Sequence, residues 1–239
     1  MIAIRPTENL TGVTISGDYW DIDELLIAIH EVCGDENRYY DFLGSRNRIL
    51  NVCLKLRNAI RAEHNIEFVP NGIHKSVKHN KRILAPEKNV YFSVEILLPE
   101  AIFMAIALND FIHLHQELID SSEWNIHIAT IRHFQGELCE MLKDLITSEH
   151  YNAFIQMLHT KQPAYFRYAT QYVDILNLEY ISLSKEERTE VLAGFILHLL
   201  LEDENYHALY EQLMAVASKT KLPLHNIEIE TKYPDDIIW

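Results

Sequence analysis

The chain has 239 residues, 48% of them hydrophobic, and carries 35 Asp+Glu against 21 Lys+Arg for a formal charge of −14. That apolar fraction excludes a wholly disordered chain, and seven Gly with seven Pro exclude a collagen-like or loop-dominated one. Three scattered cysteines, Cys33, Cys53 and Cys139, are too few for a disulfide framework and point to a reducing compartment.

Taken from the start, Met1–Arg5 and Val13–Ser16 read as short strands around a turn at Glu8–Gly12. Asp21 and Glu24 have the spacing of a capping box. Leu25, Leu26, Ile29 and Val32 follow at helical spacing, and Gly34 can end the helix. A second helix is expected from about Ser45, with the stripe Ile49, Val52, Cys53, Leu56 and Ile60. Arg48, Lys55, Arg57 and Arg61 lie off that stripe. Ile66–Val69 is strand-like, Pro70-Asn71-Gly72 is a turn, and residues 74–89 read as an exposed basic connection. Asn89–Leu98 alternates cleanly, with Val90, Phe92, Val94, Ile96 and Leu98 on one face. Pro99 then suits the first turn of a helix.

Helices dominate from that point. Their expected spans are 100–120, 123–146, 149–160 and 164–177, the last carrying Tyr165, Tyr168, Tyr172 and Leu176. Ser184 and Glu187 form another capping box, opening a helix with Val191, Phe195 and Leu199, and 203–218 continues or restarts it. Ile227 and Ile229 make a short alternating piece before the apolar end Ile237-Ile238-Trp239. The expected architecture is α+β: a small N-terminal antiparallel or mixed sheet with two helices, packed on a C-terminal helical bundle. The seam falls between residues 1–98 and 99–239, within one compact unit.

The charge is uneven. Residues 45–88 sum to +7, so the remainder sums to −21. An acidic whole makes nucleic acid an unfavourable partner, although Lys75, Lys78, Lys81 and Arg82 could form a local polyanion strip. The competing reading is internal compensation of the basic segment by the acidic remainder. The stretches 101–108 and 194–201 are far shorter than the roughly 20 residues that span a bilayer. With no leader pattern at Met1–Leu10, the expectation is a cytoplasmic protein without a membrane partner.

Motifs for catalysis are sparse. The sequence has no G-x-G-x-x-G, Walker A, G-x-S-x-G, C-x-x-C or H-E-x-x-H pattern, so no cofactor is implied by motif. Whether the chain is an enzyme stays open. The Glu-x-x-His at Glu204–His207 is about what random placement gives. His and Glu recur at i,i+4 in His113/Glu117, His133/Glu137, His198/Glu202 and His207/Glu211, each pair sharing a helix face. A divalent-metal site, if present, would draw on His113, Glu117, Glu204 and His207 from two facing helices. Hydrogen bonding along a polar helix face is the plainer explanation.

The segment Thr7–Leu25, TENLTGVTISGDYWDIDEL, resembles the start of an uncharacterised group of bacterial proteins. The resemblance covers those residues alone and implies a bacterial, cytoplasmic protein with no assigned activity. The leading expectation is a non-enzymatic protein–protein interaction module that self-associates as a homo-oligomer. Ile237, Ile238 and Trp239 are the candidate interface, docking in a groove of the same chain or of a neighbour.

Overall fold

The computed structural model describes residues 1–63, 65–82, 84–119, 124–159, 170–201, 203–229 and 231–239. Four strands form one antiparallel sheet: β1 (Ala3–Pro6), β2 (Gly12–Gly17), β3 (Asn65–Pro70) and β4 (Lys88–Leu97), in the order β1-β2-β4-β3. The register places Val13 opposite Ile96 and Ile15 opposite Val94, so the alternation read in β4 builds one apolar face. Thr14 and Glu95 pair on the other face, which is partly exposed.

Helices α1 (Tyr19–Cys33) and α2 (Leu43–Asn58) follow the first hairpin, and α4 (Leu98–Ile119) runs straight on from β4. All three pack on the sheet. The capping box of α1 is Asp18 with Asp21, not Asp21 with Glu24. Asp18 leaves the strand in an extended conformation, so its carboxylate reaches the Asp21 amide at 3.0 Å and the helix starts three residues earlier than the later acids suggest. Gly34 ends α1 at φ +62°, a conformation that favours glycine. Ile22, Leu25 and Ile29 are fully buried, each contributing about 1.5–3 kcal/mol over exposure.

The expected loop at 74–89 contains a short helix, α3 (Lys75–Lys81). It lacks an apolar stripe, which is why periodicity does not reveal it. Beyond α4 come α5 (Ile126–Lys143), α6 (Ser148–Leu158), α7 (Gln171–Ser182), α8 (Lys185–Leu201) and α9 (Glu204–Thr220). Helix α5 begins after Trp124, which is exposed. The expected helix at 164–177 overlaps α7 in its later residues, while Tyr165 and Tyr168 lie outside the described residues. The Ser184/Glu187 box is formed, the Ser184 amide donating to Glu187 at 2.7 Å. Among the described residues, Ile227 and Ile229 belong to no strand; a single 3-10 turn, Leu224–Asn226, precedes them.

Helix α4 is the axis of the molecule. Its residues 101–112 are all buried, because the sheet, α1, α5, α7 and α8 all pack against it. No described helix is long and apolar enough to cross a membrane.

Candidate functional site

The β3–α3–β4 segment stands out from the sheet as an arm. Phe68 pairs with Val90 and Ile66 with Phe92, on the same face as the buried Val94 and Ile96. Nothing described covers that face at the arm: Phe68 is 64% exposed, Ile66 45% and Val90 43%. No strand pairs with the outer edge of β3 among the described residues. Lys81 and Arg82 are exposed on the arm, with Lys75 opening α3, its side chain outside the described ones. Lys78 is committed internally: its ammonium donates to Ala85 O at 3.0 Å and Pro86 O at 2.7 Å. The proposed polyanion strip is thereby reduced, because one of its four cations straps the loop.

A second exposed apolar surface lies on α1. Trp20 is 68% and Ile27 51% exposed, and Tyr19 packs edge-on against Trp20 at 5.1 Å. Trp20, Asp23, Glu24, Ile27 and Glu31 fall at helical spacing on one stripe. That stripe combines apolar and acidic groups, where the arm combines apolar and basic ones.

The C-terminal segment docks on its own chain. Asn9 Nδ2 donates to Trp239 O at 2.7 Å and Thr11 Oγ1 to Ile238 O at 2.6 Å. The Trp239 ring lies where a Cβ on Gly12 would come within 2.8 Å. Arg188 holds the same turn, its Nη1 donating to Asn9 O at 2.9 Å and Thr11 Oγ1 at 2.8 Å.

The four metal-ligand candidates are not brought together. His113 and Glu117 line a cleft of about 570 Å³ between α4, α5 and α6. Glu204 and His207 are exposed on α9. Among the described residues no three His, Cys, Asp or Glu side chains converge as a metal site. Of the i,i+4 pairs, His133 and Glu137 approach to 3.6 Å, whereas His198 turns to the α9 cap Asp203 at 2.5 Å; Glu202 lies outside the described residues.

Sequence reasoning missed the polar lining residues Arg132 and Gln135 of that cleft and the buried Asn109 that Arg132 bonds. Asn109 and Asp110 are buried in the most apolar stretch of the chain. Arg132 Nη1 donates to Asn109 Oδ1 at 2.6 Å and to Gln135 Oε1 at 2.9 Å, and Gln135 Nε2 donates to Ala105 O at 2.7 Å. The signal available was the Asn-Asp pair interrupting an apolar run. Cys139 lines the cleft too, and burial pushes its thiol up to about 11, leaving it protonated and a poor nucleophile at neutral pH.

It also missed Arg48. Its side chain is 13% exposed, and its guanidinium sits between Glu100 (15%) and Asp174 (27%). Nη2 approaches Glu100 Oε2 at 2.6 Å and Asp174 Oδ1 at 2.9 Å; Nη1 reaches Asp174 Oδ2 and Thr170 O, both at 3.0 Å. Burial alone would favour loss of its proton, but the two carboxylates more than reverse this and hold it firmly charged. The Tyr233 hydroxyl donates to Asp174 Oδ1 at 2.8 Å, and burial, with that carboxylate beside it, pushes the phenol up to about 12.

The model of a family described as a domain of unknown function, DUF6904, matches residues 2–239, so the chain belongs to that family. The kinship therefore extends over nearly the whole chain, well beyond Thr7–Leu25. Comparison with curated proteins and with solved structures found no match.

Proposed function

We propose that this member of the DUF6904 family works through protein–protein contact and self-associates, the arm of each copy lying on the α1 face of the other. The observation that carries the reading is the uncovered continuation of the sheet's core face at Ile66, Phe68 and Val90. Apolar groups in such an arrangement favour a partner that removes them from water. Charge selects the partner. Residues 65–88 carry five Lys/Arg against Glu67 and Glu87, while the α1 stripe carries Asp23, Glu24 and Glu31 beside Trp20 and Ile27. A second copy supplies both halves reciprocally, as a twofold dimer requires. Three free, buried cysteines fit a reducing cytoplasmic setting.

The Ile237–Trp239 end is a weaker candidate for the interface, since Ile238 and Trp239 are already hydrogen-bonded to Thr11 and Asn9 of their own chain. Sedimentation velocity over a wide concentration range tests the proposal. The wild type is expected to dimerise, and Phe68→Asp to give a monomer with an unchanged circular-dichroism spectrum. Lys81→Glu is expected to weaken the dimer and the added Glu24→Lys to restore it. A wild type that stays monomeric throughout, or a Phe68→Asp chain that dimerises as before, would refute it.

A further inference from the structure

A groove of about 550 Å³ lies between α1 and the end of α2. A π-helical turn, Ala59–Glu63, continues α2 and adds Ile60 and Arg61 to the lining. The apolar part of the groove is Leu26, Ile27 and Ile60, of which Leu26 is buried and Ile27 exposed. Its charges divide by element: Asp23 and Glu31 belong to α1, Arg57 to α2 and Arg61 to the turn. None of the four has an ion-pair partner among the described residues. Arg57 Nη2 lies 3.1 Å from His30 Nε2. Arginine has only donors, so the ring accepts there and brings no charge to offset the guanidinium.

The arm carries the same pattern with the signs exchanged. Phe68, largely exposed, is its apolar group. Glu67, next to it on β3, is exposed and has no partner among the described residues. Lys81 and Arg82 are exposed at the end of α3. The turn that helps to line the groove also packs against β3 and β4 of its own chain, so arm and groove adjoin. A twofold axis beside them carries each arm to the groove of the other copy. We propose that this groove is the seat of Phe68 from a second copy, whose Glu67 meets Arg57 and Arg61 and whose Lys81 and Arg82 meet the acids of α1. The inference rests on the self-association reading and adds to it a seat and a direction: the strand of the arm lies toward α2 and its helix toward α1. An aromatic side chain held in a pocket supplies the affinity of such a contact, and the paired charges set its orientation.

Disulfide trapping in mixtures of two full-length variants tests the seat; the native Cys33, Cys53 and Cys139 are buried and do not compete. Phe68→Cys mixed with Ile27→Cys is expected to give a covalent dimer under mild oxidation, since each mixed pair keeps one native half of the contact. Phe68→Cys mixed with Trp20→Cys is expected to give none. Trp20 does not line the groove and lies about 10 Å along α1 from Ile27, whereas a disulfide needs Cα atoms within about 7 Å. In sedimentation velocity Glu67→Lys is expected to weaken the dimer at least about fivefold, and the added Arg61→Glu to restore it. A chain that dimerises but is trapped through Trp20→Cys, or through neither position, overturns the seat and leaves self-association standing. Unchanged affinity in Glu67→Lys overturns the direction of the arm. A wild type that never dimerises overturns both the seat and the reading beneath it.

Discussion

Replacing Arg48 by Met would remove the only cation between Glu100 and Asp174 among the described residues while keeping most of the side-chain volume. Three bonds to Glu100, two to Asp174 and one to Thr170 O would be lost together. Removing one partner of a buried ion pair costs about 3–5 kcal/mol, chiefly because the other charge is left uncompensated. Glu100 at 15% exposure meets that description, but Asp174 at 27% is partly hydrated. The expected loss is therefore about 3 kcal/mol, at the lower end of that range. Arg48→Lys retains the charge but cannot reproduce the planar fork, and should lose about half as much. Adding Glu100→Gln to Arg48→Met removes one uncompensated carboxylate and should recover part of the loss. Urea unfolding followed by far-ultraviolet circular dichroism measures all four proteins. An Arg48→Met midpoint corresponding to less than about 1 kcal/mol would show the cluster to be solvated and the argument wrong.

Two further perturbations probe other parts of the fold. His115 is fully buried, and neither ring nitrogen has a hydrogen-bond partner. Burial lowers its pKa below the ordinary 6.5, with Arg38 and His127 acting in the same direction and Glu31 in opposition. The unfolded chain therefore binds the extra proton first, and stability falls as pH drops below 6.5. His30 and His225 are lowered too and add to that slope. His115→Leu should flatten it in urea titrations from about pH 8 to about pH 5.5, and an unchanged slope would exclude His115 as a source. Gly12→Ala would put a methyl 2.1 Å from Ile96 O and 2.8 Å from the Trp239 ring. It should cost about 1–3 kcal/mol or more and free the C-terminal segment, seen as a red shift of tryptophan emission; a wild-type melting temperature would contradict that packing.

The parts of this fold that could be read from the sequence are those encoded by near neighbours. The alternation from Asn89 to Leu98 predicts β4, which ends one residue earlier at Leu97, because a strand with one buried face needs period two. The stripes of α1 and α2 and the Ser184/Glu187 box are local in the same sense. The partners of Arg48 are not legible because they lie 52 and 126 residues away. Helical periodicity marks it as off the apolar stripe but cannot say what faces it. The pairing of His113 with Glu204 failed for the same reason: spacing within one helix carries no information about which helices meet. The arm was legible only as strand-like and basic. Its exposure depends on which elements pack against it, which is a property of the assembled body.

The turn between the first two strands is fastened from very far along the chain. Residue 188 binds it across 177 and 179 positions, and residues 238 and 239 across 227 and 230. A growing polypeptide on the ribosome makes this turn well before its clasps. The hairpin must therefore wait, paired but unlatched, until those residues follow, and its final closure belongs to the slow, long-range end of the folding reaction.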